Sequence, residues 1–497
     1  MNRAGGGETE FWRSGWFWAL LALASTLPML VPPLQMMPDY FSHTGRYHVM
    51  NHGAESAFLS HYYRFQWRLI GNLGVDLLMV PLGHWLPTET AARICAASIP
   101  PLTVAGVHAV STASWGRVQA PALLALPFIY SFTMLYGFVN YQLGLALALL
   151  VLALWIRSAD GPAWRRLAVM LPLGLLVWVV HMAAWAVLLA AVGCWELARA
   201  RQERPGVLAT LRRAIRRCLP LAVPLLIILW ESRGGVPAQA YSWQHKGEWL
   251  TVFMIADSPT MAMAEVLTLG LAAGLAVTVR GVRGNPGLGL AAAALALLFL
   301  ALPNAMLGSF YADARLLAPM VMLGVLGIAL PASERATVVA WLGILVFGIR
   351  TAEITQGWTQ RGTAAMIDLA GLEKLPLGAR IAVVLGPDAC RRFPLTSLSE
   401  LPSLAIVRRD AFVNSEWDLA GQQLMQPVWN LGHGYNDQRS VVQCSRTQPL
   451  AATLARLPRD RFGYVWVFGH AQLAVPWLRI VHQGPNSRLY AIAGPPA

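Results

Sequence analysis

The sequence predicts a polytopic α-helical membrane protein of about 11–13 spans followed by a C-terminal external α/β domain. Three observations predict it. Only 13% of the 497 residues are charged and 56% are hydrophobic, where a soluble domain averages about 25% charged. Hydrophobic runs of membrane-spanning length recur from Trp16 to about Arg350. Beyond that point the composition becomes that of an ordinary soluble domain. The expected organisation is a transmembrane domain over 1–350, with an external loop at 34–68, and a periplasmic α/β domain over 351–497.

The candidate spans are 16–33, 69–86, 91–110, 118–135, 139–156, 167–181, 183–198, 218–231, 262–279, 287–302, 316–331 and 336–350. No small-residue cleavage site precedes Pro32-Pro33, so Trp16–Val31 reads as a retained span and not as a signal peptide. Orientation follows from arginine. Arg199, Arg201, Arg204, Arg212, Arg213, Arg216 and Arg217 face a single acid, Glu203, in a loop at 199–217, which should be cytoplasmic. Arg157, Arg165 and Arg166 mark a second cytoplasmic loop, and Arg280 with Arg283 a third. The net charge of +13 is thus largely a topology signal, and nucleic acid is excluded as a partner.

Counting outward from these anchors places Tyr136–Asn140, the turn at His181, the loop 231–261, Asn304–Arg315 and the C-terminal domain outside. Twelve full crossings conflict with an external 34–68 loop. The segment 69–86, with Asn72, Asp76, His84 and nearby prolines, is therefore expected to be re-entrant or to pack on the external side, because an acid at the centre of a span is costly. In the last domain, Arg380–Leu385, Tyr464–Phe468, Leu478–Ile480 and Arg488–Ala493 read as strands. Cys95, Cys194 and Cys218 lie in or at hydrophobic segments and read as packing residues. Cys390 and Cys444 are a possible disulfide of an oxidising compartment.

The polar residues worth chemistry gather on the external side. In Pro38-Asp39-Tyr40-Phe41-Ser42-His43-Thr44-Gly45-Arg46, a helix opened by Pro38 puts Asp39, His43 and Arg46 on one face at i, i+4 and i+7. That strip suits a lipid phosphate and a hydroxyl to be deprotonated, or else a solvated amphipathic helix. His43, His48, His52 and His61 fit no common metal-ligand spacing, so no cofactor is expected, with a divalent metal left as an unsupported alternative. Asp313 and Arg315 stand where a late span begins; Arg315 either binds a lipid phosphate or snorkels to the interface paired with Asp313. His181 reads as a binding residue in an external turn or as a satisfied core group. Tyr136 and Asn140 read chiefly as caps of a span. Arg233, Tyr241, Trp243, His245, Lys246 and Trp249 form an aromatic-basic stretch suited to sugar or phosphate, or to an interfacial helix.

These features together resemble the GT-C superfamily of polyprenyl-phosphate-dependent membrane glycosyltransferases. The resemblance rests on Pro-Asp39-x-x-x-His43-x-x-Arg46 after span one, on Arg315-Leu-Leu-Ala-Pro319 at a late span, and on the layout of spans followed by an external α/β domain. It implies a GT-C-like fold, Asp39 as catalytic acid-base residue, and Arg315 near the donor phosphate. Tyr136-Gly-Phe-Val-Asn140 lacks the second acid that many members carry, and Tyr40 replaces the second member of an Asp-Glu pair. The expected function is inverting transfer of a sugar from a polyprenyl-phosphate donor to a cell-envelope acceptor, at the external face of the bacterial inner membrane. Asp39 would be the base; His43, Arg46, Arg315, Asp313 and His181 would bind substrate. The alternative is a non-enzymatic transporter of lipid-linked saccharides or an envelope-assembly scaffold. The near absence of charge along the spans from 118 to 350 favours chemistry at one face over a midplane transport path.

Overall fold

The computed structural model describes residues 10–203, 206–231, 241–252, 254, 259–306, 310–386, 398–418, 423–431, 434–437, 440, 450–469, 473 and 475–493. Among them, six helices are long and apolar enough to cross a bilayer: Thr88–Trp115, Val139–Arg157, Ala163–Val180, Met182–Gln202, Thr260–Val277 and Glu334–Lys374. Shorter apolar helices fill in at Gly15–Leu30, Ala120–Tyr136, Pro286–Ala301 and Ala314–Leu326. Burial separates centre from rim. The apolar window of Val139–Arg157 is 83% buried, whereas that of Thr260–Val277 is 17% buried and turns Leu267, Leu271 and Val277 outward, as a lipid-facing helix does.

Three stretches differ in kind from a simple span or loop. Residues 118–135, expected as an ordinary span, form a 3-10 helix over Ala120–Tyr130 that is buried at every position, then a short α-helix, Phe132–Tyr136. Pro127 inside it lacks the N–H and clashes with the carbonyl that an α-helix would offer. Gly343 of the neighbouring helix lets this segment in, since a Cβ there would stand 2.8 Å from the Leu123 carbonyl carbon. The expected arginine-rich loop 199–217 is mostly helical: Met182–Gln202 runs into it, and Val207–Ala222 is a helix of its own. Val207, Leu208, Leu211, Ile215 and Leu219 recur at helical spacing on an exposed face, which is why the arginines sit on a helix; Arg204 lies outside the described residues. The third stretch, 69–86, contains the 12-residue helix Gly74–Trp85, roughly 18 Å long and too short to cross.

The helix Glu334–Leu369 carries the chain without interruption into the C-terminal α/β unit. The expected strands are present as β4 (Arg380–Leu385), β7 (Tyr464–Phe468), β8 (Leu478–Gln483) and β9 (Ser487–Ile492). With β5 (Phe412–Val413) they make a five-stranded sheet in the order β5-β4-β7-β9-β8. The β5-β4-β7 pairings are parallel and the β7-β9-β8 pairings antiparallel. This unit is bound at several points to the 34–68 region and to the start of the helix Thr88–Trp115. Strands β1 (Tyr63–Phe65) and β6 (Met425–Pro427) pair antiparallel, while β2 (Arg283–Gly284) and β3 (Ile328–Ala329) form a separate antiparallel pair. Arg408 forks onto both Glu89 oxygens at 2.8 and 2.9 Å, and Asp410 accepts from Ser56 Oγ at 2.7 Å. Cys95, Cys194 and Cys218 are free thiols; Cys390 and Cys444 lie outside the described residues.

Candidate active site

Pro38 opens the helix Pro38–His52, its missing N–H falling where a helix has no use for one. Asp39 follows in the first turn, where the helix dipole favours a negative charge. The helix is buried on nearly all sides, from Tyr40 through Tyr47, so it is not a solvated surface helix. Gly45 makes that possible: a Cβ there would stand 3.0 Å from Ile406 Cδ1 and 3.2 Å from Glu416 Oε1. Gly137, at φ +104°, lets the Tyr136–Phe138 loop press on the helix start, since a Cβ would stand 2.7 Å from the Tyr40 nitrogen.

Asp39 keeps access to solvent, with 21% of its side chain exposed, and His43 Nε2 lies 3.3 Å from Asp39 Oδ2. The second imidazole nitrogen, His43 Nδ1, is buried with no hydrogen-bond partner. Arg46, expected at the donor phosphate, turns elsewhere: its Nη2 donates to Asp76 Oδ2 at 3.0 Å and both side chains are buried. Asn140 completes this cluster, donating to Asp76 Oδ2 at 3.0 Å and accepting from the Val75 N–H at 2.6 Å. The acid at the centre of 69–86 is thus neutralised inside the protein, which removes the cost of leaving it in lipid. Arg46 is paired with Asp76 and is not brought together with Arg315 and His181.

Across from Asp39 stand Arg315 and His181. Arg315 is buried, with its guanidinium 4.7 Å above the centre of the Phe138 ring and within electrostatic reach of Asp39. Its backbone carbonyl accepts from Tyr141 Oη. His181 caps the helix Met182–Gln202, Nδ1 accepting from the Ala183 N–H at 3.1 Å. Arg315 and His43 both lie within its electrostatic reach. Asp313 also lies within electrostatic reach of Arg315, but its oxygens are bonded to other groups. It caps Ala314 and accepts from Lys246 Nζ at 2.5 Å. Of the aromatic-basic stretch, Lys246 is taken by this pair, Trp249 packs on Tyr311, and Arg233 lies outside the described residues. Tyr311, at φ +60°, is held in a conformation uncommon for a residue with a side chain. Its ring meets those of Tyr136, Phe138, Phe132 and Trp249 at 5.3, 6.0, 5.7 and 5.2 Å, forming an aromatic floor.

The C-terminal unit supplies two acids that sequence reasoning missed. Glu416 is fully buried and accepts from Ser42 Oγ of the Pro38–His52 helix at 2.7 Å. Burial pushes its carboxyl up to about 7, although hydrogen bonds from Ser403 and Ser42 and the Arg46 charge act the other way. Glu400, 3% exposed, accepts from Trp417 Nε1 at 3.3 Å. Burial first, then the neighbouring Asp39 and Glu416 charges, push Glu400 well above the usual carboxylate range. Asn414 fixes this region by pairing with both backbone groups of Val383 on β4, at 2.7 and 3.3 Å. The signal available in the sequence was a Ser-Glu pair set twice in apolar surroundings, Ser399-Glu400-Leu401 and Ser415-Glu416-Trp417. Among the described residues, no cluster of three or more His, Cys, Asp and Glu could hold a metal ion.

No protein-family model matches the chain, and no curated protein matches it. Among solved structures, the crystal structure of ArnT from Cupriavidus metallidurans in the apo state is similar. It shares 14% identity at a TM-score of 0.53, over 97% of this chain and 99% of that one. At such identity the likeness concerns the fold. The chain shares the fold of that structure, a bundle of apolar helices followed by a small C-terminal sheet domain.

Proposed function

We propose that the protein is an inverting glycosyltransferase of the bacterial inner membrane, using a polyprenyl-phosphate-linked sugar, with its C-terminal unit in the periplasm. The observation that carries this reading is the meeting of Asp39, His43, His181 and Arg315 at one end of a helical bundle with the GT-C fold. Asp39 is the one carboxylate of the group with solvent access, as a base must have to reach an acceptor hydroxyl. It takes the hydroxyl proton while the acceptor oxygen forms its bond to the anomeric carbon. The bond from that carbon to the phosphate oxygen breaks, and the electron pair leaves with the polyprenyl phosphate. Arg315 stabilises the departing phosphate by charge-assisted hydrogen bonds, and His181 lines the same side. His43 orients Asp39 and keeps Nδ1 for the substrate. The reading requires no metal or other cofactor.

The test is a transfer assay with the purified full chain in detergent, screening polyprenyl-phosphate sugars against cell-envelope extract by mass spectrometry. The anomeric configuration of the product is then read by NMR. The expected result is a product inverted at the anomeric carbon. Retention of configuration, or no transfer from any polyprenyl-phosphate donor, overturns the reading.

A further inference from the structure

Buried acids normally have each oxygen occupied, because an unpaired buried polar atom costs about 1–3 kcal/mol. Glu400 Oε2 and Glu416 Oε1 are both buried and have no hydrogen-bond partner. They sit on the C-terminal unit, and Asp39 acts electrostatically on each. A carboxyl cluster alone is no site, but two independent features accompany this one. His43 Nδ1, from the helix beneath, is also buried and unpartnered. The aromatic floor of Tyr136, Phe138 and Tyr311 adjoins it: Asp39 and Glu400 both lie within electrostatic reach of Tyr136 and Tyr311. Phe310 of the same loop meets Trp417, the residue that orients Glu400, at 6.4 Å between ring centres. Open acceptors above a ring platform suit the hydroxyls and the C–H face of a sugar ring.

We propose that Glu400 and Glu416 complete the transfer site from the C-terminal unit, binding hydroxyls of the transferred sugar and restricting it to a non-anionic one. This rests on the glycosyltransferase reading and deepens it. The chemistry divides the site in two. The lipid phosphate belongs on the side of Arg315 and His181, and the sugar belongs under the carboxyls. Trp417 fixes Glu400 through one oxygen and Ser42 fixes Glu416 through one oxygen, so each presents its other oxygen in a set direction. A hexuronate would bring its charge beside Asp39 and, above about pH 7, beside the ionised Glu416. Like charges placed together discriminate by repulsion. Glu400, held protonated by burial, adds hydrogen bonding and not charge. The two acids thereby stand where Tyr136–Asn140 has none.

The test compares polyprenyl-phosphate hexose with polyprenyl-phosphate hexuronate on the purified full chain. Wild type is expected to prefer the hexose by about tenfold or more in kcat/KM, roughly the effect of one well-placed interaction. At pH 8 the E400Q/E416Q double variant, whose amides still hydrogen-bond but carry no charge, is expected to narrow that preference by several-fold and to raise the hexose KM. E400L and E416L should raise the hexose KM more than they lower kcat. An unchanged hexose-to-hexuronate ratio in the double Gln variant, or equal use of both donors by wild type, overturns the proposal. Should wild type transfer neither sugar, the glycosyltransferase reading falls. The same ratio read as donor Kd by native mass spectrometry still decides the carboxyl proposal.

Discussion

Glu196 and Glu400 are both buried acids, and they are built in opposite ways. Glu196, near the arginine-rich end of the bundle, has a fully buried side chain surrounded by donors. It accepts from Trp155 Nε1 at 2.9 Å and Arg166 Nη2 at 2.5 Å, and from Arg217 Nη1 at 3.4 Å. Arg166 in turn lies 3.9 Å over the Trp155 ring. Glu400, at the other end, has one donor, one open oxygen and two acids for neighbours. The first arrangement lowers the energy of the fold. The second leaves a cost in place, and uncompensated cost at a cluster of polar groups is what a binding site carries before its ligand arrives.

The comparison makes a ranked set of expectations. The largest concerns Glu196→Ala, which leaves Arg166 and part of Arg217 without their counter-charge. Breaking a buried pair from one side costs about 3–5 kcal/mol, so thermal unfolding in detergent should show a drop of many degrees. A Glu196→Ala protein as stable as wild type would remove the contrast.

A smaller effect is expected from Glu416, through pH. Its carboxyl is raised by burial from the ordinary 4.5 to about 7 in the folded protein. The folded state therefore holds the proton more tightly than the unfolded state does. That contribution to stability is fully present below about pH 4.5 and is lost as pH rises to about 7. Glu416→Gln should flatten this part of the stability profile, so that its midpoint exceeds that of wild type most clearly near pH 8. An unaltered profile would show that Glu416 stays ionised throughout. The smallest effect is at the surface. Arg213 and Glu203 pair at 2.5 Å, but both are substantially exposed, and Arg213→Ala should leave the unfolding midpoint unchanged.

How far the sequence reached follows from which signals are local. Composition and hydrophobic run length are local, so the helical membrane part and the strands at 380–385 and 464–468 were legible. So were the helix start at Pro38 that carries Asp39, and the gathering of 136–140, His181 and Arg315 at one end of the bundle. The partner of a charge is not local. Arg46 is 30 residues from Asp76 and Ser42 is 374 from Glu416, and nothing in either neighbourhood names the other. Arg46 and Asp313 therefore read as ligands in the sequence, and only the fold shows their pairing with Asp76 and Lys246. Residues 118–135 read as a span because hydropathy does not distinguish burial in lipid from burial in protein. The missing second acid was sought in the later loop Tyr136–Asn140, while the acids that approach Asp39 come from a sheet domain more than 300 residues away.

The most direct measurement is the rate of sugar transfer by Asp39→Asn beside wild type, with both proteins matched for monodispersity and thermal midpoint. Asparagine keeps the shape and the helix start but cannot accept the hydroxyl proton. Transfer should fall by about 10²–10⁴-fold, the usual worth of a general base, while donor binding is preserved. An Asp39→Asn protein that transfers at the wild-type rate would contradict the assignment of Asp39 as the base and, with it, the site built around that residue.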